Sequence, residues 1–130
     1  MDVLRIESTA QTPLIDLNPV TGVMGIKGRS IPDDPEVFWG QILTWFDSYL
    51  IQPKDHTIVK IDLEYFNITS SKRILFLLYK LNDLIDTGKK VNVEWYYRES
   101  DEDMYEVGQD YAFMVRVPFV FKECKDSNVA

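Results

Sequence analysis

Three hydroxyl side chains follow one another at Thr69, Ser70 and Ser71, where a strand-like pattern gives way to a helix-like pattern. Hydroxyl groups at the start of a helix can cap its free amide groups. A phosphate added at the same place would face those amides and the positive end of the helix dipole. The segment is therefore either a structural helix cap or a site of regulatory phosphorylation. In both cases we expect at least one of the three hydroxyls to cap the helix.

Other chemistry has little support in the sequence. The single histidine, His56, has no sequence signature that would pair it with a serine or with Cys124 as a nucleophile. The glycines are scattered singly, so they form no phosphate-binding loop. Acidic residues at 33–34 and 101–103 lie where helix N-termini favour negative charge, which explains them without a metal. We expect no catalytic residue, no metal and no cofactor, and a hydrolase using His56 is the remote alternative.

Composition limits the class of protein and its partners. The chain has 130 residues, a hydrophobic fraction of 45% and a formal net charge of −7, which fits a single folded domain over residues 1–130. An acidic chain repels nucleic acid and anionic lipid, so we expect neither nucleic acid nor a membrane as a partner. One cysteine cannot form an intrachain disulfide, and the first residues do not resemble a signal peptide. These features favour a cytoplasmic protein.

Hydrophobic periodicity and turn residues divide the chain into nine elements. The predicted strands cover residues 4–6, 14–17, 23–27, 57–66, 91–97 and 117–121. The first helix is predicted to begin at Pro35 after an Asp34 cap, and the second to follow the hydroxyl segment and end at Gly88. The third is predicted to begin at Ser100, with Asp103 in a capping-box-like position. Residues 122–130 are predicted to be a frayed tail.

The alternation within the internal strands predicts how the layers are arranged. In the fourth strand the apolar residues Val59, Ile61, Leu63 and Tyr65 are expected to face the core, and the charged residues between them to face solvent. Parallel strands covered on both faces would be apolar throughout. We therefore predict an α/β fold, a two-layer sandwich of a mixed sheet of about six strands with three helices mainly on one face.

Three segments of the chain resemble the SiaC-like family of small bacterial regulatory phosphoproteins. They are Thr12-Pro13 with the later GIKGRSIP at 25–32, LEYFN at 63–67 continuing to Lys72, and VEWYY at 93–97. The resemblance extends over roughly residues 12–121. The family's fold is similar to that of STAS-type anti-sigma-factor antagonists, so the resemblance implies a STAS-like sandwich.

The resemblance also implies a partner switch rather than an enzyme. In the family, a kinase with a histidine-kinase-like ATPase fold phosphorylates a hydroxyl in an Asn-Thr-Ser-Ser run, which corresponds to the hydroxyl segment of this chain. A metal-dependent serine/threonine phosphatase reverses the modification. The unphosphorylated form binds an output protein, such as a diguanylate cyclase, which links the switch to cyclic-di-GMP signalling and biofilm behaviour. On this basis we predict a non-catalytic signalling adaptor.

This chain departs from the family pattern at the acceptor. The family pattern places threonine directly after the asparagine that matches Asn67. Here that position holds Ile68, which cannot accept a phosphate. The nearest hydroxyls predict phosphorylation at Thr69 or Ser70. The predicted partner-binding residues are Asn67, Ser71, Lys72, Glu64 and Tyr96. The alternative is a constitutive protein-interaction module on the same fold, without phosphorylation control.

Overall fold

One six-stranded sheet and three helices make up the part of the chain that the structure, a computed structural model, describes, residues 1–126. The strands are β1 (Leu4–Ile6), β2 (Leu14–Leu17), β3 (Val23–Ser30), β4 (His56–Phe66), β5 (Lys90–Arg98) and β6 (Phe119–Cys124). The helices are α1 (Pro35–Tyr49), α2 (Ile68–Asp86) and α3 (Glu102–Met114). The strands lie in chain order, with β1 to β3 antiparallel and β3 to β6 parallel. The predicted α/β fold with a mixed sheet is confirmed.

The three helices connect successive parallel strands and lie over one face of the sheet. Right-handed crossovers that proceed in one direction along a sheet place their helices on the same side. In β4, Val59, Ile61 and Leu63 are at most 3% exposed, while Lys60 on the other face is exposed. The core lies between the sheet and the helices. The opposite face of the sheet is open, as the alternating pattern predicted.

A register shift at the end of β4 reverses the predicted orientation of Tyr65. Pairing with β3 skips one residue after Leu63, so Glu64 has no partner there. An extra residue in one strand inverts the alternation that follows it. Tyr65 is therefore 52% exposed, and Phe66 instead packs edge-to-face against Trp95. The prediction that Tyr65 faces the core is wrong, because a strict period of two does not reveal a bulge.

Two helices begin with aspartate caps. Asp34 accepts the backbone N–H of Val37 at 3.2 Å, and α1 begins at the next residue, as predicted. In α3 the cap is Asp101, which accepts the N–H of Met104 at 3.0 Å. The predicted start of this helix at Ser100 is therefore wrong: α3 begins at Glu102, two residues later, and its cap is the residue after Ser100. Aspartate and serine cap helices about equally well, so residue type alone does not decide whether Ser100 or Asp101 is the cap.

The last strand extends further than the pattern indicated. β6 begins at Phe119 and continues to Cys124, which pairs with Arg98 of β5. The first three residues of the predicted frayed tail thus belong to the sheet, since polar side chains suit an edge strand as well as a tail. Residues 127–130 of that tail lie outside the described part of the chain. Across residues 1–126, no helix combines the length and the apolar content that a membrane crossing requires.

Candidate functional site

Asn67, rather than a hydroxyl residue, caps α2. Its side-chain oxygen accepts the backbone N–H of Ser70 at 3.0 Å, and its own N–H donates to the carbonyl of Ser30 at 3.1 Å. The expectation that one of the three hydroxyls would be the cap is therefore wrong. Asparagine is among the best N-cap residues and precedes the hydroxyls, so the helix starts earlier. All three hydroxyl residues lie in the first turn of α2.

The three hydroxyls have different surroundings. Thr69 is exposed, and its hydroxyl donates to the side-chain oxygen of Asn67 at 3.0 Å. Ser70 is fully buried, and its hydroxyl donates to the carbonyl of Ser30 at 3.0 Å. Ser71 is partly buried and donates to a backbone carbonyl of the same turn at 2.6 Å. Thr69 is thus the most accessible of the three.

Two buried serines and a tryptophan connect β3, α2 and α1. The hydroxyl oxygens of Ser30 and Ser70 lie 2.8 Å apart, and that of Ser30 accepts the indole N–H of Trp39 at 3.1 Å. All three residues are 0% exposed. Burial of polar groups is tolerated when each has a hydrogen-bond partner, and these groups do. The sequence shows Ser30 only as a polar residue at a strand end, so the network could not be anticipated.

Two exposed apolar side chains precede Thr69 in the chain, Ile68 directly and Tyr65 four positions earlier. Ile68 is 78% exposed and Tyr65 is 52% exposed. Aromatic side chains such as Tyr65 are enriched in protein-binding surfaces relative to the rest of the surface. Lys72 is exposed one turn along α2, and the guanidinium of Arg73 lies 3.4 Å from the carbonyl oxygen of Thr69. The sequence interpretation missed Ile68 and Tyr65 as surface residues, although Ile68 sits where the family pattern has its acceptor.

The predicted partner-binding residues fall on two surfaces. Asn67, Ser71 and Lys72 lie at the start of α2, beside Thr69. Tyr96 lies on the open face of the sheet, away from the helices, and its hydroxyl donates to Glu94 at 2.9 Å. Burial, and then the carboxylate of Glu94, raise the pKa of Tyr96 to about 12. Tyr96 is therefore a neutral hydrogen-bond donor held by its own neighbour.

Glu64 lies where these two surfaces meet. It is the exposed residue of the β-bulge, three positions before the cap of α2. It also lines a groove of about 430 Å³ on the open face, together with Arg29 and Arg98. Arg98 is paired with Asp62 at 3.2 Å in the floor of that groove. The groove carries both signs of charge, so it does not identify one kind of ligand.

A hydrolase that pairs His56 with a serine of α2 is inconsistent with the geometry. His56 is the first residue of β4, whereas the serines of α2 follow its last residue. A strand of this length separates them by about 30 Å. The ring of His56 lies 2.8 Å from the side-chain oxygen of Asn92. Within residues 1–126, no three histidine, cysteine, aspartate or glutamate side chains come together in a way that could hold a metal ion.

Comparisons with known proteins lead to one family. The family model described as "SiaC family regulatory phosphoprotein" matches residues 6–124. An uncharacterised protein of Pseudomonas aeruginosa (strain UCBPP-PA14) is 25% identical over 122 residues, which cover 94% of this chain and 97% of that protein.

Solved structures share the fold over nearly the whole chain. SiaC of Pseudomonas aeruginosa is 23% identical to this chain, and the two structures superpose with a TM-score of 0.87. The match covers 95% of this chain and 100% of that one. The crystal structure of the diguanylate cyclase SiaD in complex with its activator SiaC, from the same organism, contains a chain 24% identical to this one. Its TM-score is 0.88, and the match covers 93% of this chain and 99% of that one.

Proposed function

Because the chain belongs to the SiaC family of regulatory phosphoproteins, as its motifs predicted, we propose that it is a signalling adaptor that changes partners through reversible phosphorylation of Thr69. The observation that carries the proposal is the position of the Thr69 hydroxyl. Thr69 is exposed in the first turn of α2, directly after the exposed Ile68, which a partner protein could cover.

Burial distinguishes the two predicted acceptors. A kinase must bring the acceptor oxygen to the γ-phosphate of ATP, and the Thr69 side chain is already at the surface. Ser70 would first have to leave its hydrogen bonds with Ser30 and turn out of the core. Breaking buried hydrogen bonds without replacing them costs about 1–3 kcal/mol per group. This cost favours Thr69 over Ser70.

The proposed partners follow from the family. The structure of SiaC as the activator of SiaD supports an output protein as partner, and a diguanylate cyclase is the first candidate. A kinase with a histidine-kinase-like ATPase fold would add the phosphate, and a metal-dependent serine/threonine phosphatase would remove it. The adaptor itself would act in the cytoplasm without a cofactor.

The phosphate would act on binding through charge and desolvation. It adds about −1.5 to −2 charges at neutral pH. A partner that covers Ile68 and Tyr65 would also have to remove water from the phosphate on Thr69. Burying an unpaired charge is far more costly than burying a hydroxyl that is already hydrogen-bonded. The unphosphorylated form is therefore the one that binds the output protein.

One observation favours the constitutive module as a second candidate. Ile68 occupies the acceptor position of the family pattern and is 78% exposed. An isoleucine so placed could serve as a permanent apolar contact for a partner. In that case the partner affinity would not depend on a kinase, a phosphatase or the residue at position 69.

Mass spectrometry of the protein isolated from its own host tests the proposal. We expect an added phosphoryl group that maps to Thr69 and disappears on phosphatase treatment. Thr69→Ala should abolish the modification, and the matched control Ser70→Ala should retain it. Absence of phosphate under several growth conditions would favour the constitutive module. A phosphate on Ser70 alone would refute the choice of Thr69.

A further inference from the structure

Hydrogen bonds, joined at Ser70 by the covalent bonds between its backbone and its side chain, connect the Thr69 hydroxyl to α1. Thr69 donates to the side-chain oxygen of Asn67, and the same oxygen accepts the backbone N–H of Ser70, both at 3.0 Å. The Ser70 hydroxyl contacts that of Ser30 at 2.8 Å, and Ser30 accepts the indole N–H of Trp39 at 3.1 Å. The series begins at an exposed side chain and ends at three that are fully buried.

We propose that phosphorylation of Thr69 is transmitted along this series to Trp39, with Asn67 as the positioning residue that couples the modified side chain to the fold. The inference rests on the proposed function for the identity of the modified residue. The inference adds a structural route by which phosphorylation of Thr69 changes the surroundings of Trp39 in α1. This route is separate from the direct effect of the phosphate on the partner-binding surface.

The first step follows from the chemistry of the hydroxyl. When Thr69 attacks the γ-phosphorus of ATP, an Oγ1–P bond forms, the bond to ADP breaks and the hydroxyl proton is released. The side-chain oxygen of Asn67 then loses Thr69 as a donor and faces an oxygen that can only accept. Two acceptors at 3.0 Å repel each other. Asn67 can relieve the repulsion by turning its NH₂ group toward the phosphate, which gives up the bond to the N–H of Ser70.

The second step follows from burial. Ser70 has no exposed surface, so water cannot replace a bond that it loses. The carbonyl of Ser30 accepts both the Ser70 hydroxyl at 3.0 Å and the N–H of Asn67 at 3.1 Å, so two links join these segments. Close-packed interiors transmit displacements because they contain little free volume. A change at Asn67 therefore alters the hydroxyl that the Trp39 indole contacts.

Tryptophan indole signals provide the test. The protein would be labelled with ¹⁵N, with phosphothreonine genetically encoded at position 69, and compared with the unmodified protein by NMR. We expect the indole N–H signal of Trp39 to shift. Trp45, whose indole donates to a backbone carbonyl at 2.9 Å, serves as the internal reference. An unchanged Trp39 signal, or equal shifts of Trp39 and Trp45, would overturn the inference.

A variant of Asn67 tests whether it carries the coupling. Asn67→Ala should move the Trp39 signal without any phosphate, and phosphorylation of that variant should then add little further shift. The matched control is Asp101→Ala, which removes the equivalent cap of α3 and should leave the Trp39 response to phosphorylation intact. A full phosphorylation shift in Asn67→Ala would contradict the role of Asn67.

The two proposals fail in different ways. A host that does not phosphorylate Thr69 would refute the proposed function, and the encoded phosphothreonine would still measure the coupling. A host that does phosphorylate it, together with an unresponsive Trp39, would refute the coupling alone.

Discussion

Thr69 and Ser70 are neighbours in the chain whose hydroxyl groups have unrelated roles. Thr69 lies at the surface and Ser70 contributes to a buried hydrogen-bond network. Substitutions at the two positions should therefore affect different properties. A negative charge introduced at Thr69 should weaken partner binding, and loss of the Ser70 hydroxyl should lower the stability of the fold.

Partner affinity tests the role of Thr69. Thr69→Ala should bind the output protein as tightly as the wild type, because within residues 1–126 the Thr69 hydroxyl bonds only to the side chain of Asn67. Thr69→Glu should weaken binding about tenfold, since its single charge is smaller than that of a phosphate. Calorimetric titration measures both, and Thr44→Glu on α1 controls for added charge elsewhere. Equal affinities of the two Thr69 variants would remove Thr69 as the switch.

The stability of the serine network should depend on which serine is removed. Ser30→Ala leaves the indole N–H of Trp39 buried without an acceptor, so we expect a loss of about 2 kcal/mol in the free energy of unfolding. Ser70→Ala leaves that contact in place and should cost about 1 kcal/mol. Urea unfolding measures both values. A larger loss for Ser70→Ala would show that the network is organised around Ser70 instead.

At the scale of the elements, α3 approaches the sheet closely at one glycine. A Cβ atom added at Gly108 would lie 2.5 Å from the ring of Trp95 and 2.9 Å from that of Phe121. Side chains at such distances force the neighbours to move. The absence of a side chain at this position therefore allows α3 to lie against β5 and β6.

Alanine substitutions at two helical glycines should change stability in opposite directions. Gly108→Ala should lower the free energy of unfolding by about 1–2 kcal/mol, because overpacking outweighs the better helix propensity of alanine. Gly40→Ala in α1 is the matched control, since its added Cβ meets nothing within 4 Å. It should raise the free energy of unfolding by up to about 1 kcal/mol. Denaturant unfolding compares them, and a stabilised Gly108→Ala would contradict the close approach.

At the scale of the whole molecule, Tyr111 connects α3 to the turn that carries the candidate acceptor. Its hydroxyl donates to the carbonyl of Ser71 at 2.8 Å. Burial raises the pKa of Tyr111 to about 12. Tyr111 therefore stabilises the helical layer as a neutral hydrogen-bond donor.

Alkaline pH should weaken the fold through Tyr111. An unfolded tyrosine titrates near pH 10, so the folded protein holds the phenol proton more tightly than the unfolded chain. The contribution of Tyr111 to the free energy of unfolding should not change with pH below about pH 10, and it should fall by about 2 kcal/mol toward about pH 12. Tyr111→Phe should lower stability by about 1 kcal/mol at neutral pH and reduce the alkaline loss. Urea unfolding at several pH values measures this, and an unchanged alkaline loss in Tyr111→Phe would assign it elsewhere.

Hydrophobic periodicity and helix signals determined most of the fold. Alternating strands and amphipathic helices predicted the six-stranded mixed sheet with one open face, and Asp34 with Pro35 predicted the start of α1. Family motifs in the same sequence identified the family. These features are local, because they depend on residue type and spacing within one element. Within an element they also indicate which residues face the core.

Only the tertiary structure decided how the candidate site is built. It placed the bulge at Glu64, made Asn67 the cap of α2, and buried Ser70 while leaving Thr69 exposed. These outcomes depend on strand register and on contacts between distant residues, such as the bond between Ser30 and Ser70, which lie 40 positions apart. Local patterns contain no information on such contacts. The sequence therefore determined that a run of hydroxyls begins the second helix, and the packing of β3 against α2 decided which hydroxyl reaches the surface.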